Sequence, residues 1–310
     1  EELTTVSYRS RMPGVMHACG HDMHTAALLG AATILVQLKQ RMRGTVVLLF
    51  QPSEETEPGG AVALIKEGAF PASVDAVFGL HVSTEHRTGQ IGIKKGDDCS
   101  GVLEFDVTIQ GRGGHGAMPE TTIDPVVCGS AMIMGLQTLI SRERAPFEPA
   151  VLTVGTFHAG TKQNIVPDSA TFTGTIRTFS EALQKQLQSR VEETLTLTAK
   201  AYRATVEVAF RKSYPAGYND TERVTFARAA LARYLGESKV IRRPNPIMFA
   251  EDFAYYLKKA PGVFMHLGVN PTGDSSMPGI HNAKFLPDEK ALKTAMIAHA
   301  GLAIDFLSPA

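Results

Sequence analysis

The chain is short of cysteine, has no surplus of either charge and contains no long apolar run, and each shortage removes a class of protein. Its three cysteines, Cys19, Cys99 and Cys128, are odd in number and lack a C-x-x-C spacing. Neither a disulfide framework nor a zinc ribbon is therefore indicated, and a reducing, cytoplasmic setting is expected. Lysine plus arginine count 31 and aspartate plus glutamate also 31, which leaves no net charge to hold a nucleic-acid backbone or an anionic lipid surface. Nucleic acid and membrane are thus not expected as partners. The longest apolar stretch, about Ala26 to Leu38, carries Gly30, Thr33 and Gln37 and falls short of the ~20 residues a bilayer requires. Internal repeats and low-complexity stretches are missing as well. The opening Glu1-Glu2-Leu3 shows no initiator methionine and leads almost at once into a polar cluster, so removal of an upstream segment is expected.

What remains is an ordinary globular composition, 44% hydrophobic and 20% charged, over 310 residues, a length that suggests about two domains. His24 to Gln40 carries apolar residues at helical spacing, and Thr45 to Phe50 is a continuous β-prone run of the kind a buried strand shows. A short helix over Gly60 to Glu67 and a second buried strand over Asp75 to His81 extend this to α/β units with a mostly parallel sheet.

The pattern changes near Gly96. Val102 to Gln110 alternates as a half-exposed strand, a glycine-rich loop runs from Gly111 to Gly116, and a helix starts near Asp124 with Pro125 in its first turn,. Strands over Ala150 to Phe157 and Ala170 to Arg177, a helix from Ser180 to about Tyr202 and a strand over Thr205 to Phe210 complete a β-α-β-β-α-β order, the split βαβ sandwich. Residues 97–210 therefore read as a compact ferredoxin-like domain inserted into an α/β domain made of 1–96 and 211–310. The second flank resumes with helices near Thr221 and over Glu251 to Lys258, a strand over Val263 to Val269 and a last helix from Asp288.

The densest chemistry is His17-Ala18-Cys19-Gly20-His21-Asp22-Met23-His24, just ahead of a predicted helix. Thiolate and imidazole are strong ligands for borderline-soft divalent metals. A single histidine there would be ordinary, and Asp22 alone would be a helix cap; the clustering favours a metal site. Gln51-Pro52-Ser53-Glu54-Glu55 follows an apolar run, the place where α/β sheets put their ligands. Neighbouring glutamates point in different directions, so one can bind metal while the other stays free as a base. His81 closes the second predicted strand, and His281 lies in an irregular loop before the last helix. Together Cys19, His21, Glu55, His81 and His281 are too many donors for one open tetrahedral site and suit two metals sharing a bridge.

The segments Met16 to Asp22, Phe50 to Glu55, Gly79-Leu80-His81, Gly111 to His115 and Asn164-Ile165-Val166-Pro167-Asp168 resemble, in order, the M20 metallopeptidase family. The resemblance is closest to its amidohydrolase branch of N-acyl-amino-acid, hippurate and auxin-conjugate hydrolases. It implies a dinuclear catalytic domain interrupted by a ferredoxin-like dimerisation domain, hence a homodimer or dimer of dimers, and two divalent ions per subunit drawn from Zn, Mn, Co or Ni. It places the metal ligands on Cys19, His21, Glu55, His81 and His281, with Cys19 as the bridge, and the general base on Glu54. It puts His115 on the histidine that reaches the partner's active site and steadies the oxyanion. Asn164 and Arg177 match positions that meet the substrate near its carboxylate, and Glu251 matches a wall or supporting position. A family segment resembling R-A-D-x-D-A-L-P is not found upstream of the cysteine motif. The implied reaction is hydrolysis of an N-acyl amino acid to a carboxylic acid and a free amino acid. The alternatives are a carboxypeptidase or dipeptidase of the same fold, or a catalytically silent metal-binding fragment.

Overall fold

The computed structural model describes residues 1–308. The first flank contains α1 (His21–Leu38), α2 (Gly60–Lys66), β1 (Val77–Arg87), β2 (Ile91–Ile93) and β3 (Gly96–Cys99). Met23, Ala27, Ala31 and Leu35 form the buried stripe of α1, at the four-residue spacing that keeps one helical face inward.

The middle of the chain builds β4 (Gly101–Gln110), β5 (Gly114–His115), α3 (Pro125–Thr138), β6 (Ala150–Ala159), β7 (Ile165–Val166), β8 (Ser169–Thr178), α4 (Glu181–Ala201) and β9 (Thr205–Lys212). β6, β8, β4 and β9 lie in that order in one antiparallel sheet, the split βαβ order expected from the sequence. The Asp124 carboxylate accepts from the N–H groups of Val126 and Val127 ahead of Pro125, and the Ser180 hydroxyl accepts from Leu183 N–H. Each cap contributes about 1 kcal/mol to its helix. Leu183, Leu187, Val191 and Leu195 of α4 join Phe105, Phe172 and Ile176 in one core.

The last flank adds β10 (Gly217–Asn219), α5 (Thr221–Leu235), β11 (Val240–Arg242), α6 (Ala254–Leu257), β12 (Gly262–Asn270) and α7 (Ala291–Leu307). A second sheet runs β1-β12-β2-β11. All nine residues of β12 are buried, as befits an inner strand, and α1, α5 and α7 supply Met23, Leu231 and Ala298 to its core. Among the described residues no helix is long and apolar enough to cross a membrane.

One expectation is refined here and another corrected. Two of the sheet's three pairings are parallel, β1 with β12 and β11 with β2, but β12 and β2 are antiparallel. Only Thr88-Gly89-Gln90 separates β1 from β2, and a parallel return needs a crossover of a dozen or more residues, so the chain has to reverse. Thr45–Phe50 forms no strand and joins no ladder. Val46 and Leu48 pack towards Ala31 and Leu35, which accounts for their apolar character. A strand, however, also needs a hydrogen-bonding neighbour. β1 is an edge strand, and a cleft of about 810 Å³, lined by both Thr45–Phe50 and Val77–His81, lies between the two backbones.

The chain crosses between the two sheets twice, and the crossings run side by side. Val102 N–H donates to Tyr214 O at 2.9 Å and Ser213 N–H to Val102 O at 3.1 Å, while β10 pairs antiparallel with β3.

Candidate active site

Cys19 sits just before α1 and is buried. Gly20 between it and His21 adopts a left-handed φ of 83°, and a Cβ there would lie 2.5 Å from Val82 Cγ2. Only glycine lets the Cys19-Gly20-His21 turn press against the middle of β1 at Val82,. His81 lies on β1 facing that turn, with Nε2 3.3 Å from Cys19 Sγ and Nδ1 2.7 Å from Val82 O. Donation from Nδ1 to that carbonyl leaves the Nε2 lone pair aimed into the site. His281 comes from the opposite end of the sequence with a left-handed φ of 63°. Its N–H donates to Ala18 O at 2.7 Å, which ties the loop to the cysteine turn, and its Nε2 lies 3.0 Å from Glu55 Oε1.

The donors fall into two groups that share one atom. Ligand atoms of Cys19, His21 and His81 lie within 4.8 Å of one another, and so do those of Cys19, Glu55 and His281. His21, Glu54 and Glu55 form a third such group. One sulfur common to two triads is the geometry a bridging thiolate requires, so the residues present fit two divalent ions. His17 and His24 of the same sequence cluster are not in these groups; His24 Nε2 instead accepts from Val82 N–H at 3.0 Å.

Glu54 and Glu55 ride on a loop that is pinned at both ends. Asp252, almost wholly buried, accepts from Gln51 Nε2 at 2.8 and 2.6 Å and from Ala61 N–H at 3.0 Å. Tyr256 OH donates to Gln51 Oε1 at 2.8 Å. A Cβ at Gly60 would come within 1.9 Å of Pro52 O, so the loop closes tightly on itself. Ser53 holds a φ of 58°, a left-handed turn that immediately precedes the two carboxylates. Gln51, Asp252, Tyr256 and Tyr214 received no role from the sequence. Asp252 is 201 residues from Gln51, and no short-range pattern marks such a pair.

Electrostatics sort these groups by task. Burial lowers the His81 pKa to about 4 and also lowers that of His21, which keeps both imidazoles neutral and ready to ligate. Burial, with Glu55 and Asp252 nearby, pushes Glu54 up to about 7, the range suited to a general base. Burial and the carboxylates of Glu55, Glu54 and Glu251 push the Cys19 thiol well up. Glu251 is raised by loss of water and by Glu54 and Asp252, with which it forms a carboxylate cluster. So many acidic groups in one place favour a site completed by cations.

The remaining predicted residues lie on the middle segment. His115 on β5 is exposed and pairs with Ile165 of β7, and Gly116 N–H donates to Asn164 O at 2.9 Å. His115 and Asn164 are thereby neighbours, and neither belongs to the metal-type groups. Arg177, near the end of β8, donates from Nη1 to Met248 O at 2.8 Å.

The description of peptidase family M20/M25/M40 matches residues 1–305. The chain belongs to this family. It is 37% identical to an IAA-amino acid hydrolase of Arabidopsis thaliana over 99% of this chain and 70% of that protein. It is 35% identical to an N-acetylcysteine deacetylase of Bacillus subtilis over 98% of this chain and 77% of that one. The solved structure of a dinuclear metal-binding M20 peptidase from Bacillus subtilis superposes with a TM-score of 0.84 at 32% identity, covering 99% of this chain and 78% of that one.

Proposed function

We propose that the protein hydrolyses the amide bond of N-acyl-L-amino acids, using two divalent cations held by Cys19, His21, Glu55, His81 and His281. The observation that carries this reading is the pair of ligand triads sharing Cys19, with Glu54 in contact range of both His21 and Glu55. Relatives that act on conjugated and acetylated amino acids support the substrate class.

When bound, the cations supply Lewis acidity towards the scissile carbonyl and lower the pKa of the attacking water. Glu54 takes the proton of that water on a carboxylate oxygen and afterwards hands it to the departing amine nitrogen. Glu55 and His281 would hold one cation and His21 and His81 the other, with Cys19 common to both sets. The pinned Gln51–Ala61 loop keeps Glu54 and Glu55 in separate roles.

The protein acts as a homodimer, residues 97–210 forming the dimerisation unit between catalytic segments 1–96 and 211–310. His115 Nδ1 accepts from Ala117 N–H at 3.1 Å, so the neutral ring carries its hydrogen on Nε2 and can donate. That donor serves the oxyanion in the neighbouring subunit's site. Asn164 beside it and Arg177 meet the substrate carboxylate, while Glu251 supports the base. Three free, buried cysteines support a reducing cytoplasmic setting.

The test is hydrolysis of N-acetyl and N-benzoyl amino acids, after loading with Zn, Mn, Co or Ni, against unblocked dipeptides with the same C-terminal residue. Preference for the acylated amino acids is expected. Faster cleavage of the dipeptides would move the protein to the peptidase reading.

A further inference from the structure

The paired crossings between the two sheets touch the base-bearing loop directly. Tyr214, in the second crossing and only 7% exposed, donates its hydroxyl to Glu54 O at 2.5 Å. The preceding residue, Ser213, donates from Oγ to Glu57 Oε1, and its own carbonyl accepts from Tyr255 OH at 3.0 Å. Tyr255 lies on α6, three residues after the Asp252 that pins the loop ends. The middle of the loop is thus held by the crossing, and its ends by the segment around α6.

Glu54 has one backbone carbonyl and one side chain, and fixing the first limits where the second can point. The adjacent left-handed Ser53 removes freedom on the other side, since a non-glycine residue in that region persists only where its surroundings hold it. The Tyr214 hydroxyl is the outside contact made to Glu54 itself. It also joins Glu54 to the covalent connection between the β6-β8-β4-β9 sheet and the other sheet. Val102 N–H donates to Tyr214 O, which ties the two crossings together at the tyrosine.

We infer that Tyr214 is a positioning residue for Glu54, linking the placement of the base to the setting of the middle segment's sheet. This rests on the reading of Glu54 as the base. Tyr214 acts through the Glu54 backbone and does not touch the ligand atoms, so its loss should slow turnover while metal and substrate binding persist.

The test compares Tyr214→Phe, Glu54→Gln and the double variant, each metal-loaded, by kcat, KM, metal stoichiometry and melting temperature. Tyr214→Phe is expected to keep both metals, change KM by less than about twofold and lose about tenfold in kcat, equivalent to ~1.4 kcal/mol. In the Glu54→Gln background the same change should lower the residual rate by less than about twofold, because the group it positions is already disabled. A purely structural tyrosine would lower the rate equally in both backgrounds, and that result overturns the inference. Full kcat in Tyr214→Phe, with Glu54→Gln metal-replete and inactive, overturns it too. Normal turnover by Glu54→Gln would instead remove the base assignment, a separate and recognisable failure.

Discussion

His281 Nε2 lies 3.0 Å from Glu55 Oε1 although 226 residues separate them in the chain. The contact brings the far flank to the Cys19 turn, so both flanks contribute residues to the proposed metal site. The ligand atoms of Glu55 and His281 and the Sγ of Cys19 all lie within 4.8 Å of one another, the donor set on which the proposed cation site rests.

Cys19→Ser should lower metal content as well as rate. A serine hydroxyl is a far weaker ligand than a thiolate for zinc-like ions, and Cys19 is the one atom both triads share. Metal analysis after dialysis is expected to show less than two ions per subunit. Full occupancy with normal turnover would remove the cysteine from the site.

The neighbouring glutamates should separate by substitution. Glu55→Gln is expected to impair metal retention. Glu54→Gln should hold two ions and lose at least about a hundredfold in kcat, the scale on which general-base catalysis operates. The reverse pattern would exchange their roles.

Acid stability should depend on His299. This residue on α7 lines the cleft beside β1, and burial lowers its pKa from 6.5 to about 4. Between those values the unfolded chain binds a proton that the folded chain refuses. Its neutral state in the fold therefore stabilises fully above about pH 6.5, and that contribution is lost as the pH falls towards 4. The whole effect is on the order of 3 kcal/mol. His299→Leu should flatten the acid limb of a denaturant-melt series over this window. An unchanged slope would mean that the ring takes up its proton without unfolding.

Complementation between dead variants should report the shared active site. Glu54→Gln and His115→Ala proteins, each inactive, are expected to regain part of the activity when subunits exchange, because some heterodimers hold one site with both groups intact. Verified heterodimers that stay inactive, or a fully active monomer, would rule this arrangement out.

The candidate ligand residue types, the starts of helices α3 and α4 and the strand-helix order of the middle segment were all legible in the sequence. Each depends on neighbours within a few residues: Asp124 caps its own helix, and the Leu183-Leu187-Val191-Leu195 spacing marks the buried face of α4 in any context. The apolar run Thr45–Phe50 was legible only as apolar. Side-chain burial against α1 satisfies that pattern without a ladder, and nothing local distinguishes the two outcomes. The direction of β2 was set by the short reversal after β1 and by the room beside β12. The Gln51–Asp252 pin, the Tyr214 contact on Glu54 and the meeting of His281 with Glu55 belong to the tertiary structure alone. Hydrogen bonds reaching across 160 to 226 residues follow from how two sheets and their connections pack, which local spacing does not encode.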